Sequence, residues 1–118
     1  MPQKPPLRAW FQEFRGSIVV CDPEGIILEM NDAAIRSNAE DGGAKLIGTN
    51  LIDCHPEPSL TKLKAFMAKR ELNVYTIEKR GVKKLVYQTP WHLNGVYAGF
   101  LEVVLEIPFE VPHFVREG

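Results

Sequence analysis

Residues 72–107 read LNVYTIEKRGVKKLVYQTPWHLNGVYAGFLEVVLEI. Runs rich in β-branched and aromatic residues are broken twice by short polar pairs, Arg80-Gly81 and Asn94-Gly95. Asn-Gly is among the strongest short-range hairpin signals, because both central residues of such a turn take positive φ. The stretch therefore predicts three antiparallel strands, at 72–79, 82–91 and 96–107. Upstream, LTKLKAFMAKR places Leu60, Leu63, Phe66 and Met67 on one side of a helix. Before it, AEDGGAKLIGTN is irregular and glycine-rich, and DAAIRSN reads as a short helix that Asn31 or Asp32 can cap. SIVVCD (17–22) and IILEM (26–30) read as a hairpin about the turn DPEG. At the start, PLRAWFQEF sets Leu7, Trp10, Phe11 and Phe14 at i, i+3, i+4 and i+7, one apolar helical face, with Pro6 in the first turn and Gly16 as the stop.

This order predicts an α+β chain, a five-stranded antiparallel sheet with short helices on one face and an N-terminal amphipathic helix. The expected division is a lead and helix over 1–15, a domain over 16–107 and a tail over 108–118. A chain of 118 residues suits one such domain. An apolar share of 45% and a formal charge of −1 announce no broad basic surface, so neither nucleic acid nor a membrane is an expected partner. No apolar run reaches the ~20 residues that span a bilayer. Two cysteines, Cys21 and Cys54, make no disulfide framework, and no signal peptide is visible, so the expected setting is cytoplasmic with reduced thiols.

Tight turns allow partners to be read across the last three strands. One face then carries Glu78, Lys84 and Glu106, next Thr76, Val86 and Val104, next Val74, Gln88 and Glu102. The other carries Tyr75, Tyr87 and Val103, then Ile77, Leu85 and Leu105. A slip of one residue would exchange the faces of a strand. Hydrophobicity alone turns the tyrosine-leucine face toward the helices.

The DPEG turn, ILEMNDAA, LIGTNLIDCHPE, the Arg-Gly turn, QTPW and NGVYAGFLEVVLEI, in that order, resemble the PAS sensor fold over residues 16 to about 107. The chain departs where EIPFE stands in place of the family's usual D-I-T. The resemblance implies a non-catalytic sensory or regulatory domain that binds a small molecule or a partner protein in signal transduction. Matching Gly81, Pro90 and Gly99 to the family's landmarks reverses the hydrophobicity reading. It puts Thr76, Gln88, Glu102 and Val104 on the side of a ligand cavity, with Phe66 and Met67 facing them from the helix and Val86 and Phe100 beside them. The apolar rows then lie outside, where Leu7, Trp10, Phe11 and Phe14 cover them, in the same molecule or in a homodimer. Two plainer readings stand beside this one. Gln88 and Glu102 bond each other while Phe66 and Met67 fill a core, or the domain is a ligand-free homodimerisation module.

LIDCHPEPSLTKL (51–63) sets Cys54 beside His55 ahead of two prolines. Proline placement at a helix start accounts for these residues, with Pro58 in the first turn and Ser59 a further candidate cap. Zinc would need distant ligands such as Cys21 or His92. A Cys-His nucleophile pair is disfavoured because neighbours on an extended chain point apart. Flavin photoreceptors of the family carry a cysteine directly after the asparagine where GTNL has Leu51. Haem-binding members take a histidine from the long helix, which here has none, so haem through His55 is the cofactor alternative to no cofactor. His92 and His113 are lone residues in a turn and a tail. A small enzyme working through Glu102 or Cys54-His55 is the remaining reading.

Overall fold

A computed structural model describes residues 8–118, apart from the side chain of Cys54. Five strands, β1 (Ser17–Cys21), β2 (Ile27–Met30), β3 (Asn73–Lys79), β4 (Val82–Leu93) and β5 (Val96–Ile107), form one antiparallel sheet in the order β2-β1-β5-β4-β3. The helices are α1 (Ala9–Gln12), α2 (Asp32–Ser37) and α3 (Ser59–Lys69), with 3-10 turns at Ala39–Asp41, Gly43–Leu46 and Leu51–Cys54. Fold class, strand count and element order agree with the reading of the sequence. Among the described residues no helix is long and apolar enough to cross a membrane.

The turns form as their residues dictate. Arg80, Gly81, Asn94 and Gly95 all have positive φ, as a two-residue hairpin loop of matching twist requires. In DPEG, Asp22 Oδ1 accepts from the backbone N–H groups of Glu24 and Ile26, both at 2.9 Å, which closes the β1–β2 link. Asn31 caps α2, its Oδ1 accepting from Ala34 N–H at 3.0 Å. At α3 the N-cap is Pro58, one position earlier than expected, and it offers no side-chain bond. Ser59 is already helical.

Register corrects one strand. Between β4 and β5 the rows are those expected: Lys84 opposite Glu106, Val86 opposite Val104, Gln88 opposite Glu102. Between β3 and β4 the pairs are instead Tyr75 with Val86 and Thr76 with Leu85. The expected pairing implied a three-residue loop after Lys79, whereas the two-residue turn sets Lys79 opposite Val82 and shifts β3 by one. Thr76 and Val74 therefore point to the outer face, and Asn73, Tyr75 and Ile77 join Val86, Gln88 and Glu102.

The core sits between β1–β2 and α2, where Cys21, Ile27, Met30 and Ala34 are buried and Val19, Ile35, Leu46 and Leu51 pack against them. On the opposite side α1 lies over β1. Phe11 is buried there, a contribution of ~1.5–3 kcal/mol before entropy. Arg8 ties this helix down through an ion pair with Glu29 and lies over the Phe11 ring, 5.0 Å from its centroid. The expected four-residue apolar face is thus reduced. Trp10 is 68% exposed and Phe14 43% exposed, while Leu7 and Pro6 lie outside the described residues.

Candidate ligand cavity

Loop 46–54 is fastened along the free edge of β2 by Gly48 N–H to Ile27 O (2.7 Å), Ile27 N–H to Thr49 O (2.9 Å) and Leu51 N–H to Gly25 O (2.9 Å). These bonds occupy an edge that would otherwise be unpaired. They also swing Leu51, His55 and the start of α3 over the concave face of the sheet. Beneath lies a cavity of about 490 Å3, with walls from β1, β2, β4, β5, the loop and α3. Its size is within the range of small-molecule sites.

Of the residues expected to line it, Phe66, Met67, Gln88, Phe100 and Glu102 do so, and Val86 does not. The Phe66 ring meets Phe100 at 5.0 Å between centroids. Val104 shares the sheet face with Glu102 but sits beside Val86, one row outside the lining. Thr76 is on the other face through the β3 shift, so it is not a cavity residue. Sequence reasoning missed Cys21, Met30, Asp41 and Leu63. The alternation of β1 could have found Cys21, because Val19 opposes Glu102 and Cys21 opposes Phe100. Asp41 carried no such signal, since it belongs to an irregular segment.

The polar groups form a short relay. Asn73 Nδ2 donates to Gln88 Oε1 at 2.9 Å, and Gln88 Nε2 donates to Glu102 Oε2 at 2.7 Å. A carboxylate only accepts, which fixes the orientation of the Gln88 amide. The bond expected between these two side chains and their place on the cavity wall therefore coexist. Burial, then the charge of Glu102, pushes the Tyr75 phenol upward, and its bond with Gln88 opposes the rise. His55 Nδ1 lies 2.7 Å from Leu51 O. Because a carbonyl accepts, Nδ1 carries the proton and Nε2 of the neutral ring is an acceptor. Among the described residues no three His, Cys, Asp or Glu side chains gather as a metal site.

Cys21 is buried, and its thiol is pushed from 9.0 to about 12, first by desolvation and then by the charges of Glu102 and Asp22. At neutral pH it is a protonated wall residue with little nucleophilic character. A thiol raised on folding leaves stability intact below the unfolded value near 9 and lowers it as pH climbs toward 12. Between pH 7.5 and 10.5 this group should cost the native state about 2 kcal/mol, at about 1.4 kcal/mol per unit above 9. Urea unfolding of wild type and Cys21→Ala at the two pH values measures it. Equal losses in the two proteins would show that Cys21 does not carry the effect.

No protein-family pattern and no curated protein matches the sequence. Solved structures do. A C-terminal domain from Streptococcus mutans superposes with a TM-score of 0.67 at 19% identity, over 80% of this chain and 78% of that one. The PAS domain of Bordetella pertussis BvgS gives 0.63 at 17%, over 86% and 84%. The Aer2 receptor of Vibrio cholerae, described as a dual PAS-heme oxygen sensor, gives 0.61 at 18%, over 79% and 95%. With the sheet order, the roofing loop and the cavity in the same places as the sequence landmarks, these superpositions show that the chain has the PAS fold.

Proposed function

We propose that this chain is a cytoplasmic, non-catalytic sensory domain that binds a small molecule in the cavity beneath α3 and passes the change on through its packing surfaces. The observation that carries this reading is the state of α3. It has no fully buried residue, and Leu63, Phe66 and Met67 line the cavity while still partly exposed. A ligand with an apolar body would complete the burial of these side chains, and differential burial is what lets a ligand bias one packing over another. Haem is a poor fit. His55 offers an imidazole nitrogen, but the charged lining groups are Asp41 and Glu102, and no Lys or Arg among the described residues lines the cavity to meet propionates.

The outer face supports a second role, homodimerisation through Trp10, Phe14 and the outer sheet, with Phe11 buried within its own chain. Val74 (45%) and Tyr87 (39%) are exposed on this face, as are Trp10 and Phe14. An apolar patch of this kind marks an interaction surface. Native mass spectrometry of protein purified directly from producing cells tests both roles. A reproducible small bound mass is the expected result, and a clean apo dimer would leave dimerisation as the function.

A further inference from the structure

The polar groups of the cavity are mostly acceptors. Glu102 receives Gln88 on Oε2, and Oε1 meets no protein donor among the described residues. His55 turns its Nδ1–H away onto Leu51 O and keeps Nε2 as an acceptor. Asp41 adds a second carboxylate to the same lining. The two amides, Gln88 and Asn38, each spend one of their two N–H groups on a protein acceptor, Glu102 Oε2 at 2.7 Å and Ala34 O at 2.8 Å. No Lys or Arg among the described residues lines the space. The Phe66 and Phe100 rings add π faces, whose quadrupole attracts positive charge.

We propose that the cavity takes an organic cation, a molecule with an apolar body and a protonated amine that donates to Glu102 and His55. The inference rests on the cavity being a ligand site and adds the sign of the ligand. A carboxylate or phosphate would enter against two like charges with no counter-ion, and burying an unpaired charge is costly. An ammonium group has three donors and no acceptor, the complement of this wall.

The test uses matched probes on the full isotope-labelled chain, followed by amide chemical shifts of α3 and β5. Three sets, on phenylbutyl, naphthylethyl and octyl bodies, each comprise the amine, the alcohol and the carboxylate. In at least one set the amine should bind about tenfold or more tighter than the alcohol, as a charge-assisted hydrogen bond implies, with the carboxylate weakest. Glu102→Gln keeps an acceptor for Gln88 and should remove that preference, bringing the amine down to the affinity of its alcohol or below. A carboxylate that binds as well as its amine overturns the sign and leaves the cavity a ligand site. An amine preference that survives Glu102→Gln overturns the role of Glu102 and with it this proposal. If no probe moves the cavity amides, both this inference and the reading beneath it fall.

Discussion

Gly99→Ala should abolish cooperative folding or lower stability by at least about 4 kcal/mol, the largest effect of any single methyl group in the chain. A Cβ at position 99 would overlap the carbonyl oxygen of Cys21 and lie 2.8 Å from both the carbonyl carbon and the Cα of Asp22. All three are backbone atoms, so no side chain can swing aside. The φ of Gly99, +138°, is one that residues with a Cβ rarely adopt. The same carbonyl already receives Trp91 Nε1–H at 2.9 Å, which clamps the end of β1 where β5 runs beside it. Gly81→Ala is the control. Its φ is also positive, at +77°, but nothing lies within 4 Å of a Cβ there, so only ~1–2 kcal/mol of backbone strain is expected. Urea unfolding followed by circular dichroism compares them. A Gly99→Ala protein no weaker than Gly81→Ala would mean that β1 and β5 do not approach as described.

The type and order of elements were readable because Arg80-Gly81 and Asn94-Gly95 can do little except turn, and because DPEG and Asn31 carry their own hydrogen-bonding chemistry. Register was harder. The rows expected for β4 and β5 hold only because of a bulge between Trp91 and His92. The two-residue turn pairs Leu93 with Val96 and His92 with Tyr97, and Ala98 is then left over, which brings Trp91 opposite Gly99. No bulge intervenes in β3–β4, so the tight turn alone sets the register, and Thr76 changes sides. Hydrophobicity misled for a physical reason: the face with more apolar side chains is covered in part by α1, while the face lining the cavity carries Gln88 and Glu102. Only the family landmarks resolved that choice. His55 reaches the cavity through irregular backbone pinned to β2 and Asp41 through a turn closed on Asn38 at the end of α2, placements that no periodicity encodes.

Asn31→Ala should cost about 3–5 kcal/mol, although the residue is not in the cavity lining. Asn31 is 0% exposed and serves three backbone partners. Its Oδ1 accepts from Ile18 N–H at 2.9 Å and Ala34 N–H at 3.0 Å, and its Nδ2 donates to Gly16 O at 2.8 Å. One amide thus caps α2, bonds to the strand β1 and holds the residue preceding that strand. Loss of a cap costs ~1 kcal/mol, and each backbone group left buried without a partner adds ~1–3. Asn31→Asp separates the parts. It keeps the acceptor for Ile18 and Ala34 but sets a second oxygen against Gly16 O, a contact that favours the protonated acid and so raises the folded carboxyl above its unfolded value of ~3.9. A raised acid contributes its stability below the unfolded value and loses it as pH rises. The Asp variant should therefore approach wild type near pH 4 and fall behind it toward pH 7, whereas the deficit of the Ala variant stays constant. Denaturant midpoints at the two pH values decide the matter. A pH-independent Asp deficit would show that the Nδ2 bond to Gly16 does not form, and that the α2 frame over the cavity is held by the cap alone.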